Sequence, residues 1–311
     1  MDTLSYMVQA LFNTAVVVAV ALLLPGVINR TRAILAGRKG VTMYQHLNNV
    51  HLLLRKGAVY SSTTTFLFRA VPAVYLGATL TALLFVPVGN LRPLLSFEGD
   101  VVMFAYLFAL GRLAIVLAAM DTGSSFEGMG ASREALYGAL VEPAMFLVFA
   151  TLALITGYTS FADIFGLCRG VESQMIVVLL LVCYVVVRVI TVEAGRIPVD
   201  DPRTHLELTM IHEVMVLDYC GIDLGMIQIA GWLKTAAFAV IAADVMAYAL
   251  WYNIALVLLA ALGVGVFIGI VESLQARNKL SRNTTYILTI VALAMVVFFV
   301  AYLLQHDIDI Q

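Results

Sequence analysis

The sequence predicts an all-α polytopic membrane protein with about eight transmembrane helices, an amphipathic surface helix and a long ordered cytoplasmic loop. Three observations predict it. Of 311 residues, 62% are hydrophobic and 12% charged, whereas soluble domains carry about a quarter charged residues. So much apolar surface exceeds what one soluble core buries, and its solvent is therefore lipid. The apolar runs also recur at the length of about 20 residues that a bilayer demands. Finally, most of the 18 Lys and Arg residues fall in alternate loops.

The runs lie at roughly 8–28, 66–88, 101–120, 138–158, 175–193, 232–251, 254–272 and 284–304. The first resembles a signal peptide in length, but it lacks a basic n-region and a small-residue cleavage site, so it reads as a mature span. The chain 1–311 reads as a single integral membrane domain. The loops near 29–65, 121–137, 194–231 and 273–283 hold most of the basic residues, and the opposite side has only Arg92 and Arg169. Lys and Arg accumulate on cytoplasmic loops, which puts these loops in the cytoplasm and both termini outside. No internal repeat supports an inverted-repeat transporter.

Two loop stretches are more than connectors. In 41–56, Met43, Leu47, Val50 and Leu54 recur at helical spacing, with Gln45, Asn48, Asn49 and Arg55 mostly elsewhere. That pattern suits a helix lying in the membrane surface. The stretch 194–231 is far longer than an ordinary helix connection, and long ordered loops are usually functional.

Ionisable groups inside spans are expensive and mark pathways or buried pairs. Arg112 falls mid-span, Asp121 at a helix end, Glu142 beside Pro143, Arg188 and Glu193 near the end of the fifth run, Asp244 in the sixth and Glu272 at the end of the seventh. Individually, such charges snorkel to water, or Arg112 or Arg188 neutralises one acid. Collectively, several acids gather on the cytoplasmic half. The long loop adds Asp200, Asp201, Glu207, Glu213 and Asp218 against only Arg196 and Arg203. Half-dry carboxylates in mutual proximity exchange protons near neutral pH, which is what a proton relay requires; the alternative is a solvated acidic face. Pro198 and Pro202 favour a fixed, non-helical path. The expected proton path is thus Glu142, Glu193, Asp200, Glu207, Glu213, Asp218 and Asp244, with Arg112, Arg188 and Arg196 as charge partners. His205 and His212 lack HExxH spacing, and Cys168, Cys183 and Cys220 form no CxxC pair, so neither a metal site nor an iron–sulfur cluster is expected in this chain.

The stretch Glu193-Ala194-Gly195-Arg196-Ile197-Pro198-Val199-Asp200 resembles the E-x-x-R-x-P-x-D motif of the membrane subunit that joins the two arms of respiratory complex I, subunit 1 or H. Glu207-Leu208 and Asp218-Tyr219-Cys220-Gly221 fall where that family shows E-L and E-Y-S-G. The longer form, HLELTMIHEVMVLDYCG over 205–221, is more similar to the equivalent subunit of group 4 membrane-bound nickel–iron hydrogenases, of the formate hydrogenlyase and hydrogenase-4 type. Residues 121–134, DTGSSFEGMGASRE, followed by Glu142-Pro143-Ala144, resemble the D-T-G-S-x-F-x-x-M-G-A-S-R-E…E-P-A pattern of that branch.

The resemblance implies a non-catalytic subunit that anchors a hydrophilic redox arm and offers an acidic path for protons or sodium ions, in the inner membrane of a prokaryote. The implied partners are an iron–sulfur small subunit, a large catalytic subunit with the nickel–iron site, and antiporter-like membrane subunits. Family acids match Glu142, Glu193, Asp200, Glu207 and Asp218, and the loop arginine matches Arg196; Glu213, Asp244 and Arg112 are added from position alone. Where relatives show Q-x-x-x-D-x-x-K on the surface helix, Gln45 is followed here by Asn49 and Leu52. The missing charged pair weighs against the alternative of a quinone-reducing complex. The remaining alternative is a stand-alone ion transporter.

Overall fold

Among the described residues, eight helices are long and apolar enough to cross a membrane, as the apolar runs predict. The computed structural model describes residues 3–167, 173–201, 210–250 and 254–306. Its helices are α1 (Thr3–Leu35), α2 (Gln45–Leu54), α3 (Phe66–Leu83), α4 (Asp100–Asp121), α5 (Ser125–Thr156), α6 (Phe161–Leu167), α7 (Ser173–Glu193), α8 (Gly221–Leu250), α9 (Ile254–Leu274) and α10 (Leu280–Gln305), with a 3-10 turn at Glu213–Val216. Within α8, 72% of the most apolar stretch is buried, against 28% in α10. Helix α8 therefore sits at the centre, packed on α1, α2, α3, α7 and α9, while α10 closes one side against α5 and α7. Leu110, Leu113 and Leu117 on α4, like Met295 and Phe299 on α10, point outward as lipid-facing stripes. Pro25, Pro72 and Pro143 lie inside helices, which membrane spans tolerate because neighbours satisfy the freed backbone groups.

Two boundaries differ most from the sequence reading. Helix α5 begins at Ser125 rather than near 138, and α8 at Gly221 rather than near 232, so most of the expected 121–137 loop is helical. Hydropathy misses these turns because they are polar and rich in small residues. One face of each nevertheless packs closely on the protein: a methyl on Gly130 would lie 2.9 Å from Met215 Cγ, and one on Gly225 would lie 3.2 Å from Leu54 of α2. The expected surface helix is present as α2, and Gln45 Nε2 donates to Asn49 Oδ1 at 3.1 Å, a neutral contact where the family motif has charges.

The long loop does not lie wholly on the surface. Helix α7 is stopped by Gly195 (φ +56°), with Arg196 N–H donating to Thr191 C=O and Gly195 N–H to Val192 C=O, the pairing of a Schellman cap. The chain then runs back into the bundle through a cis Ile197–Pro198 bond, burying Ile197, Val199 and Asp200. Buried irregular backbone needs internal partners. It finds them where Asn278 N–H donates to Pro198 C=O and Asn283 Nδ2 to Val199 C=O, both at 2.9 Å. Pro202, Arg203, His205 and Glu207, like Cys168 and Arg169, lie outside the described residues.

The end of the bundle away from this loop, the distal end, is apolar. Phe104 packs edge-on to Phe108 at 4.7 Å and Phe161 at 5.2 Å, and Phe108 stacks on Phe238 at 5.3 Å.

Candidate functional site: a buried charge network

Glu134, Gly138 and Glu142 succeed one another at four-residue intervals on α5 and so form one stripe. Gly138 provides the gap in that stripe: a methyl there would lie 2.6 Å from Arg112 Cδ, so only glycine lets the α4 arginine lie between the two acids. Arg112 Nη1 donates to Glu142 Oε1 at 2.7 Å and its Nε stands 3.5 Å from Glu134 Oε1. Its Nη2 donates to Glu193 Oε1 at the end of α7. The guanidinium fork thus serves three carboxylates, a task its planar geometry suits.

The other Glu193 oxygen accepts from Lys234 Nζ of α8 at 2.9 Å. Side-chain exposures of 9% for Arg112, 4% for Glu193 and 7% for Lys234 make these charges dependent on one another, because isolated charges in such surroundings are untenable. Two cations here face three carboxylates, Glu134, Glu142 and Glu193. The core network is one positive charge short, and one proton evens it.

His212 is placed to supply that charge. Its Nε2 lies 3.2 Å from Glu134 Oε2 and its Nδ1 3.9 Å from Asp200 Oδ2. Gly195 makes room for the ring, since a methyl there would lie 2.5 Å from Nδ1. Burial disfavours the imidazolium, but the carboxylates of Glu134 and Asp200 outweigh it and raise the pKa of His212 above its ordinary value. Burial likewise opposes ionisation of Asp200, yet the His212 contact, the Ile211 N–H at 2.9 Å and Arg277 Nη2 at 3.1 Å hold its pKa below the usual carboxylate value. A carboxylate–imidazole–carboxylate link therefore joins the intramembrane charges to the loop.

Beside it, Glu272 takes Arg32 Nη1 at 3.3 Å and Arg196 Nη1 at 3.4 Å, while Arg32 also lies 3.8 Å from Asp201. This ties α1, α9 and the loop together.

The structure brings only some of the expected site residues together. Arg112, Glu142, Glu193 and Asp200 come together, and Arg196 pairs with Glu272 nearby. Glu213 and Asp218 lie exposed on the loop, outside the network; Asp218 uses its backbone N–H to donate to buried Glu127 Oε1 at 3.0 Å. Asp244 is buried at the distal end, accepting from Gly89 N–H at 2.9 Å, so its place on a shared path is not supported by position. Arg188 is not an ion-pair partner among the described residues: its guanidinium lies over Tyr286 at 4.4 Å and donates to Tyr184 Oη at 2.8 Å. Three network members escape the sequence reading. Glu134 is signalled by its four-residue spacing to Gly138 and Glu142, and Lys234 by standing inside an apolar helix once α8 is started at Gly221. His212 has no such signal, since only the fold of the loop brings it to Glu134.

Comparison with known proteins agrees with this architecture. Formate hydrogenlyase subunit 4 of Escherichia coli (strain K12) is 32% identical over 229 residues, covering 73% of this chain and 72% of that protein. Hydrogenase-4 component C of the same organism is 30% identical over 236 residues, covering 74% and 72%. A chain in the structure of the membrane-bound sulfane sulfur reductase, an archaeal respiratory membrane complex, superposes with a TM-score of 0.78 at 21% identity, over 96% of this chain and 99% of that one, which establishes the shared fold. Because the sequence model of the family described as NADH dehydrogenase matches residues 8–303, nearly the whole span that builds the helices and the charge network, this multi-pass membrane protein belongs to the NADH dehydrogenase family.

Proposed function

We propose that the chain is the membrane subunit of a hydrogenase- or formate hydrogenlyase-type redox complex, anchoring the hydrophilic arm and conducting protons or sodium ions in response to electron transfer elsewhere. The observation that carries this is the continuous network from Glu142 through Arg112, Glu193 and Glu134 to His212 and Asp200. Its inner end lies under the 194–201 loop, and at its other end the Glu142 side chain is 34% exposed on the flank of the bundle. A redox event beside the loop alters the field at His212 and Asp200. Because the network is one positive charge short, that change shifts a proton between Glu134 and His212 and re-pairs Arg112, passing the perturbation to Glu142.

The iron–sulfur and nickel–iron centres belong, in this reading, to the small and large subunits seated on the loop face, and antiporter-like subunits lie lateral to Glu142. The neutral Gln45–Asn49 contact supports a hydrogenase-type rather than a quinone-reducing assembly, and the relatives named as complex subunits count against a stand-alone transporter. The loop face is cytoplasmic and both termini are outside, in keeping with the distribution of Lys and Arg.

The test uses the intact complex in proteoliposomes. Glu193→Gln and Glu142→Gln should leave subunit composition and metal content unchanged while lowering coupled ion movement by at least about tenfold. Undiminished turnover and ion movement in both variants would overturn the relay, and replacing sodium in the buffer distinguishes the ion.

A further inference from the structure

Arg188 is left over from the network and stands in an unusual place. On α7, Val177, Leu180 and Tyr184 are exposed, and Arg188 follows four residues later on the same outward stripe. It therefore faces the membrane flank, about 7.5 Å below the C-terminal end of its helix. There α7, α9 and α10 line a pocket of about 120 Å³ whose walls include Tyr184, Arg188, Thr191, Phe267, Gln275 and Tyr286. The guanidinium is oriented by Tyr184 Oη at 2.8 Å and rests on the Tyr286 ring, whose hydroxyl is 3.0 Å from Thr191 Oγ1. Its Nε is buried without a hydrogen-bond partner, and among the described residues no carboxylate lies within ion-pair distance.

A cation on a lipid-facing stripe, held by a phenol oxygen and an aromatic face with no carboxylate beside it among the described residues, calls for an anion from outside the chain. The pocket is graded in the way an amphiphile requires. Thr191 and Gln275 lie at the helix ends, Arg188 and Tyr286 just below them, and Phe267 with Ile268 on the deeper, apolar side. We propose that this pocket binds the phosphate of an anionic membrane phospholipid, with Arg188 as its charged ligand, the Tyr286 and Thr191 hydroxyls beside it, and an acyl chain along the exposed Phe267. Basic pockets between membrane helices are suited to such headgroups, and the proposal is independent of the ion-path reading.

The test extracts the full-length protein and its Arg188→Gln and Tyr184→Phe variants in mild detergent, and measures lipid retention by native mass spectrometry and melting after adding micelles of phosphatidylglycerol, micelles of phosphatidylcholine or inorganic phosphate. The wild-type chain should retain phosphatidylglycerol about fivefold better than Arg188→Gln and be stabilised by it more than by phosphatidylcholine. Tyr184→Phe, which alters only a lipid-facing hydroxyl, should show a loss of about twofold, so the proposal remains testable if Arg188→Gln does not fold. Equal retention by wild type and both variants overturns the site. Equal stabilisation by inorganic phosphate overturns the lipid as its occupant, as does a carboxylate of a neighbouring subunit found on Arg188 in the assembled complex.

Discussion

The two halves of the bundle bury carboxylates in opposite ways. Near the loop, Glu134, Glu142 and Glu193 are held by Arg112 and Lys234, charge against charge. At the distal end no cation lies within ion-pair distance of Asp100 or Asp244 among the described residues; backbone and hydroxyl donors hold them instead. Asp100 accepts from Phe161 N–H and Ser160 Oγ, both at 2.8 Å, and Asp244 from Gly89 N–H at 2.9 Å. Both devices meet the requirement that buried polar groups be paired, but their consequences differ. An amide holds one acceptor in one place, whereas a guanidinium can present its several N–H groups to three carboxylates at once. The distal half is therefore a set of staples, and the loop half is the shared network whose rearrangement the proposed relay requires.

Removing the hub should separate the halves most sharply. Arg112→Leu leaves three carboxylates with only Lys234 and His212 beside them, and stranding buried charge in this way costs about 3–5 kcal/mol. The expected readout is a large fall in melting temperature of the purified chain, together with loss of the assembled complex. Arg112→Lys keeps the charge but not the fork and should recover only part of the stability. A wild-type melting curve for Arg112→Leu would show that the network is not held by charge.

The glycine beneath the hub comes next. Gly138→Ala drives a methyl against a guanidinium that is pinned on three sides, and overpacking of this kind costs about 1–3 kcal/mol. Gly231→Ala in α8, which meets nothing within 4 Å, serves as the control and should stay within about 1 kcal/mol of wild type. Similar losses in both variants would mean that helix propensity, not the seat of Arg112, is being measured.

How much of this was legible in the sequence depended on the kind of signal. Length and apolarity suffice for eight spans, since a bilayer imposes a minimum on each. They fail at the first turns of α5 and α8, where helices continue as polar, glycine-containing turns packed on protein rather than lipid. Arg112, Glu142, Glu193 and Asp200 were readable because charge in or beside an apolar run is anomalous by itself. Arg188 was readable as an anomaly but not as to its role, because a partner across helices depends on which way a helix faces. His212 was illegible for a deeper reason: it reaches Glu134 only because Gly195 turns the chain back into the bundle and leaves room for the ring.

That loop link carries a pH signature with two limbs. His212 has a raised pKa, so its contribution is complete below the ordinary value of 6.5 and is lost as pH rises through the folded value. Asp200 has a depressed pKa, so its contribution is present above the ordinary value of 3.8 and fades as pH falls through the folded value. The contact should be tightest in the mildly acidic window between those limits. Hydrogen exchange of the Ile211 and His212 amides, which donate to Asp200 Oδ2 at 2.9 and 3.2 Å, should become less protected on the alkaline side after correction for intrinsic exchange. His212→Gln should abolish that alkaline limb and shrink the acid one, which then rests on the Ile211 N–H and Arg277; an unchanged alkaline limb would place the titrating group elsewhere.

The smallest effect is expected at the distal carboxyl. Asp244 lies ten residues beyond Lys234 on α8, about 15 Å along the helix axis, and its Oδ2 has no hydrogen-bond partner among the described residues. An asparagine keeps the Oδ1 acceptor for Gly89 N–H at nearly the same shape. Asp244→Asn should therefore change stability by less than about 1 kcal/mol and leave turnover of the complex intact. Asp244→Leu, which strands the Gly89 N–H in an apolar setting, should cost about 1–3 kcal/mol. If Asp244→Asn instead abolishes ion movement while the chain melts normally, this carboxyl exchanges protons as the loop-side acids are proposed to do. The division between a fixed distal half and a rearrangeable loop half would then have to be redrawn along the length of α8.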